Sequence, residues 1–345
     1  MKKSYLNYAI GIVLLIIATA GVLYLSLKND AQAIVSILKQ SIPLYFLLAI
    51  SLVGLTHFNC ALAIRKLLLP YYPDLKRITI FKTRMLEQFA RGVTPLQSGG
   101  QVIQVYALKQ FGIGYDHSIF ALSVDFVIFQ FTAVLIQLIF ILGYLFKYTS
   151  NTILFYGVLL GFIINAAVLA GLFLLLKWQA FHTFIAHHGL RFLHKLRFIK
   201  DLDQSRQALD QKILDFSKQL DYILREKKIV IHNCILYLLN LFILNAIPFI
   251  MALALRIPIG MDLFFDFMAL SLFVAAFNSF IPIPGATGGI EAAFILAYSA
   301  FIQDSTLISG MMLGWRFVTY YIFILAGALY FIIFMIRKPK IIQTN

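Results

Sequence analysis

Apolar runs of about twenty residues or more recur along this chain, and they limit what it can fold into more than any other feature. They occupy about residues 7–27, 42–64, 118–145, 152–176, 229–255 and 306–336. Each is near or above the ~20 residues that a helix needs to cross a hydrocarbon layer. Of the 345 residues, 61% are hydrophobic and 13% charged, where soluble domains carry roughly 25% charged residues. A soluble fold has too little polar surface to cover such a chain. The sequence therefore predicts an all-α, polytopic membrane bundle, a single integral membrane domain over residues 1–345 with no stretch left for a separate soluble catalytic domain. Lys2 and Lys3 precede the first run, which is long for a signal-peptide core and is followed by no small-residue cleavage site, so it reads as a retained span.

The net charge of +14 sits in the connections. Arg65, Lys66, Lys76, Arg77, Lys82, Arg84 and Arg91 fall between the second and third runs, and ten Lys or Arg fall in residues 178–228. Both stretches are expected on the cytoplasmic side, together with Arg337, Lys338 and Lys340 of the tail. Six crossings from a cytoplasmic N-terminus return the C-terminus to that side. The charge suits the anionic leaflet at roughly 1 kcal/mol per basic residue, and topology accounts for its placement without nucleic acid. Within residues 178–228, Leu209, Ile213, Phe216, Leu220 and Ile223 keep helical spacing. They predict an amphipathic helix, either at the membrane surface or packed on the bundle as a connector.

Two further apolar segments are interrupted. In residues 78–110, Pro95 is followed by Gly99 and Gly100; in residues 263–303, Pro284 stands in the same relation to Gly288 and Gly289. Proline and paired glycine disfavour a continuous helix, so each segment is expected to be a broken or re-entrant hairpin of two half-helices. With the topology above, the first enters from the cytoplasm and the second from outside. Opposite entry sides are the arrangement of an inverted repeat, and a weak repeat at an offset of 189 residues supports it.

Ionisable residues inside such segments are costly and mark candidate sites. Arg84, Glu87 and Arg91 share one helical face before the first break, where two guanidinium groups suit a phosphate; the alternative is that the arginines snorkel to an interface. Gln97, Ser98, Gln101 and Gln104 add polar groups beside the break. Glu291 opens the helix after the second break, and Arg316 is its expected partner, in a structural or a substrate-binding pair. Asp125 lies in the third run and needs a tertiary partner, for which Arg91 or Arg84 is expected. Cys60 and Cys234 lack metal-ligand companions, and His182, His187, His188 and His194 lack carboxylates or thiolates nearby, so no metal is expected. No nucleotide-binding or hydrolase motif is present, and no cofactor is expected.

The stretches RMLEQFARGVTPLQSGGQVIQVYALKQFGI and FNSFIPIPGATGGIEAAFILAY, the latter followed by GWRFVTYY, resemble the signature regions of the lysylphosphatidylglycerol synthase transmembrane-region family. That family includes the flippase half of the bacterial multiple peptide resistance factor, which acts in resistance to cationic antimicrobial peptides. The resemblance implies a multi-pass protein of the bacterial cell membrane that translocates an anionic phospholipid or aminoacylated phosphatidylglycerol. It also implies that Glu87, Arg91, Asp125, Glu291 and Arg316 line its cavity. The family often has arginine directly after the aspartate, where this chain has Phe126. In the resistance factor an aminoacyltransferase domain follows, whereas this sequence runs to Asn345, a few residues past its last span. The alternatives are a phosphatidylglycerol lysyltransferase component working with a separate synthase, or a scaffold that recruits a lipid- or glycan-modifying enzyme through residues 178–228. A homo-oligomer is compatible with all three.

Overall fold

A computed structural model of the chain describes residues 39–94, 97–145, 152–177, 188, 191, 202–277 and 289–336. The regular structure among them is helical: α1 (Pro43–Leu68), α2 (Arg77–Val93), α3 (Gly99–Gln110), α4 (Tyr115–Tyr144), α5 (Thr152–Lys177), α6 (Leu202–Arg225), α7 (Lys227–Ala254), α8 (Phe264–Phe277), α9 (Gly289–Tyr298), α10 (Ser305–Arg316) and α11 (Ile322–Ile336). A π-helical turn, Phe317–Tyr321, joins α10 to α11. Among the described residues, five units are long and apolar enough to cross a membrane: α1, α4, α5, α7 and the continuous α10–α11. They coincide with five of the six expected spans; the expected span at 7–27 lies outside the described residues. The chain is a polytopic membrane bundle.

Local chemistry sets the helix ends. Pro43 opens α1, where a missing N–H costs nothing, and the Ile42 N–H donates to the Ala254 carbonyl at 2.8 Å, tying the start of α1 to the end of α7. Asp304 caps α10 by accepting from the Thr306 and Leu307 N–H groups at 2.8 and 3.4 Å. Gly112, at φ 94°, closes α3: its N–H donates to the Lys109 carbonyl at 3.0 Å, and that of Ile113 to Leu108 at 3.1 Å. Arg65 Nε donates to the Leu75 carbonyl at 2.6 Å and pins the connection between α1 and α2.

Two large apolar clusters build the core, with a small third one of Leu86, Ala107, Phe111 and Phe334. One gathers Phe46 and Val53 of α1 with Ile247 and Phe249 of α7, Phe267 and Phe273 of α8, and Phe294 of α9. The other gathers Ile64 and Leu67 of α1 with Phe120 and Val124 of α4, Ile223 of α6, and Ile229 and Tyr237 of α7. Between them, α1 and α7 bury a polar seam of Thr56, His57, Asn59, Asn240 and Asn245. Asn59 Nδ2 donates to Asn240 Oδ1 at 2.8 Å across it. Outside the core, α5 exposes Tyr156, Leu160 and Ile163, and α4 exposes Phe131, Ile139 and Leu142. Apolar surface on this scale fits lipid rather than water.

The helix expected within residues 178–228 is present as α6, and Leu220 and Ile223 at its C-terminal end are buried against the bundle while Leu214 and Tyr222 are exposed. That end behaves as a packed connector. Most of residues 178–201, with His182, His187 and His194, lie outside the described residues; His188 is exposed. The two interrupted segments appear as the helix pairs α2–α3 and α8–α9. Displacement by 189 residues lays α1 on α7, α2 on α8, α3 on α9 and α4 on α10–α11.

Candidate functional site

The break between α2 and α3 is a short turn held by one threonine. Thr94 Oγ1 donates to the Ala90 carbonyl at 2.7 Å and accepts from the Gly99 N–H at 2.9 Å, so it finishes one helix and starts the next. Gln97 sits in this turn at φ 58°, a conformation unfavourable for a residue with a side chain. It aims its amide oxygen at Arg91, accepting from Nε at 3.0 Å and from Nη2. Gly99 and Gly100, expected in the unwound turn, are instead the first two residues of α3. Pro95 lies outside the described residues, as do Pro284 and Gly288; Gly289 is the first residue of α9.

On α2, Glu87 is the hub. Its carboxylate meets Arg84 Nη1 at 2.7 Å and Arg91 Nη1 at 3.3 Å, the i,i+3 and i,i+4 neighbours on one face. Glu87 is buried and Arg84 mostly so, whereas the Arg91 side chain keeps 37% of its surface. The arginines expected to serve Asp125 are thus ion-paired within their own helix. Asp125 Oδ2 instead accepts from the Tyr237 hydroxyl of α7 at 2.6 Å.

Glu291 at the start of α9 and Arg316 at the end of α10 form the expected ion pair. Arg316 Nη2 and Nε lie 2.7 and 3.0 Å from Glu291 Oε1. The guanidinium also stands over the Tyr320 and Trp315 rings, 5.1 and 5.7 Å from their centroids. Tyr320, in the π turn, donates to the Gly92 carbonyl at 2.8 Å and so links this pair to the end of α2.

These groups surround a cavity of about 610 Å³. Arg84, Glu87, Arg91, Gln101, Asp125 and Arg316 line it, and Glu291 reaches it through Arg316. The cavity also takes in Gln97, Ser98 and Gln104. Sequence reasoning missed His57, Tyr237, Asn240 and Tyr320, which share the lining. His57 Nδ1 lies 3.2 Å from Gln88 Nε2, while His57 Nε2 and Arg84 Nε are buried without a hydrogen-bond partner. The polar beat Asn233, Tyr237, Asn240 within α7 was a readable signal for that wall. No group of three or more metal-ligating side chains occurs among the described residues.

Apolar spans enclosing paired charges and unfilled donors define an integral membrane protein with an internal polar site. The chain belongs to the family described as the lysylphosphatidylglycerol synthase TM region, whose model matches residues 8–327. None of the curated proteins or solved structures compared with it matches.

Proposed function

We propose that this protein is a lipid translocator: the headgroup of an anionic phospholipid, or of aminoacylated phosphatidylglycerol, passes through the cavity while the acyl chains stay in the bilayer. The observation that carries this reading is the lining of Arg84, Arg91 and Arg316 with Gln97 and Gln101 inside a bundle of apolar spans. Guanidinium and amide donors suit phosphate oxygens, and their burial among apolar helices is costly unless they serve a ligand or a partner. Arg91 is the entry point, because it is the most accessible of the Arg84–Glu87–Arg91 group and is held partly by a neutral amide. A phosphate can displace Gln97 from Arg91 more easily than it can displace a carboxylate. The unfilled Nε of Arg84 offers a further donor deeper in.

In this reading both termini face the cytoplasm of a bacterial cell, α2–α3 and α8–α9 are the two members of an inverted repeat, and rocking of the halves opens the cavity to each leaflet in turn. The Tyr320 to Gly92 bond couples the halves during that motion. Reconstitution with fluorescent phosphatidylglycerol tests the reading. Protein-dependent exposure of inner-leaflet lipid to an external quencher is expected, and Arg91→Ala is expected to slow it at least tenfold while the protein still inserts. Equal exposure in protein-free vesicles overturns the reading.

The family's description favours one second reading, a membrane component of lysylphosphatidylglycerol synthesis that works with a separate synthase. Production of lysylphosphatidylglycerol in a host that has the synthase, only when this chain is co-expressed, would support it over the translocator.

A further inference from the structure

Three carboxylates stand in or beside the cavity, and they are held differently. Glu87 is paired with Arg84 and Arg91, and Glu291 with Arg316. Asp125 has neither kind of support. It is 8% exposed, its Oδ2 accepts from the neutral Tyr237 hydroxyl, and its Oδ1 is buried with no hydrogen-bond partner. The ionisable groups that act on it are Tyr237 of α7, Arg84 and Glu87 of α2, and Cys60 of α1. The other helices packed on α4, namely α3, α5, α6 and α8, bring none among the described residues. His57 and Arg91 line the same cavity.

Charge balance gives this arrangement a consequence. Arg84, Arg91 and Arg316 face Glu87, Glu291 and Asp125, so the lining is neutral when Asp125 is ionised and carries one excess positive charge when it is protonated. An anionic headgroup entering a low-dielectric site is favoured by the second state, since uncompensated charge there is expensive. Asp125 is suited to make the change, because protonating Glu87 or Glu291 would strand a buried guanidinium.

We propose that Asp125 is a proton site linked to headgroup occupancy, so that a proton and an anionic headgroup bind and cross together as an electroneutral pair. The inference rests on the translocator reading and deepens it by naming the coupling ion. The proton adds to Oδ1 from water on one side and returns to water on the other, while Oδ2 keeps its bond from Tyr237. Linkage is reciprocal: the factor by which protonation raises headgroup affinity is the factor by which the headgroup raises proton affinity.

Calorimetric titration of the purified protein with short-chain phosphatidylglycerol, in two buffers of different ionisation enthalpy, counts the protons taken up. The wild type is expected to take up about one proton per lipid at about pH 8 and to bind about tenfold more tightly at about pH 6. Asp125→Asn, which imitates the protonated state and keeps an acceptor for Tyr237, is expected to bind without uptake and without the pH dependence. Because Asp125→Asn is expected still to bind the lipid at wild-type stoichiometry, its own binding isotherm shows that the variant is folded. Lipid binding by the wild type with no proton uptake, or uptake that survives in Asp125→Asn, overturns the proposal and leaves the translocator standing. Absence of phosphatidylglycerol binding by the wild type overturns both.

Discussion

Glu87 compensates two guanidinium groups at once, and its burial makes that role expensive to lose. Glu87→Gln removes the charge while keeping the shape, leaving Arg84 nearly enclosed without an anion. The expected cost is about 3 kcal/mol, seen as a lower unfolding midpoint in detergent; an unchanged midpoint would show that the arginines are satisfied elsewhere. The spacing of Arg84, Glu87 and Arg91 made this cluster legible in the sequence, because neighbours on a helix face are fixed by local geometry. The bond between Asp125 and Tyr237 was not legible. The two residues are 112 positions apart, and a tyrosine in an apolar span looks like any other aromatic until the packing of α4 on α7 is known. Of the arginines expected for Asp125, both are ion-paired with Glu87 on α2, and Arg84 acts on the aspartate only through space.

Between elements, α2 and α11 approach closely at Gly327. A Cβ on Gly327 would lie 2.5 Å from the Met85 carbonyl oxygen and 2.8 Å from Phe89 Cβ, so the helices meet where there is no side chain. Gly327→Ala is expected to cost about 1–3 kcal/mol by forcing the helices apart. Gly143→Ala, with nothing within 4 Å of the added carbon, is expected to leave the unfolding midpoint unchanged or slightly raised; equal effects at both sites would contradict the packing. At the end of α7, Arg256 adopts φ 56° in the position that Gly112 fills after α3. The Ile257 N–H still closes the helix on the Ala252 carbonyl at 3.0 Å. Arg256→Gly relieves the left-handed strain and is expected to stabilise the protein by about 1 kcal/mol, measurable in the same assay. Five spans were readable because length and hydropathy alone determine them. Their ends were less so: α1 continues past Arg65 and Lys66 to Leu68, since Arg65 spends its donor on the Leu75 carbonyl instead of ending the helix. Proline and paired glycine located the first break, but Thr94 decided where it falls, and the π turn after Arg316 left no sequence signal that we could identify.

At the scale of the whole molecule, the two larger apolar clusters are held apart by a polar seam, and the cavity occupies that seam. The sequence indicated that polar residues gather at the interrupted segments. It did not indicate that α1 and α7 supply the opposing wall, because that depends on which long helices cross at the centre. The same crossing brings the Arg91 and Arg316 groups onto one space although they belong to segments more than two hundred residues apart. In the translocator reading this space is the route of the headgroup, and blocking it is the most direct test. Gln101 lines the cavity and is exposed, whereas Lys109, also exposed, lies at the other end of α3 and does not line it. In a protein with Cys60 and Cys234 replaced by alanine, Gln101→Cys is expected to translocate fluorescent phosphatidylglycerol until a bulky maleimide is attached, and then to stop. Lys109→Cys carrying the same label is expected to continue. Translocation that persists through a fully labelled Gln101→Cys protein would place the headgroup's path elsewhere and contradict the account.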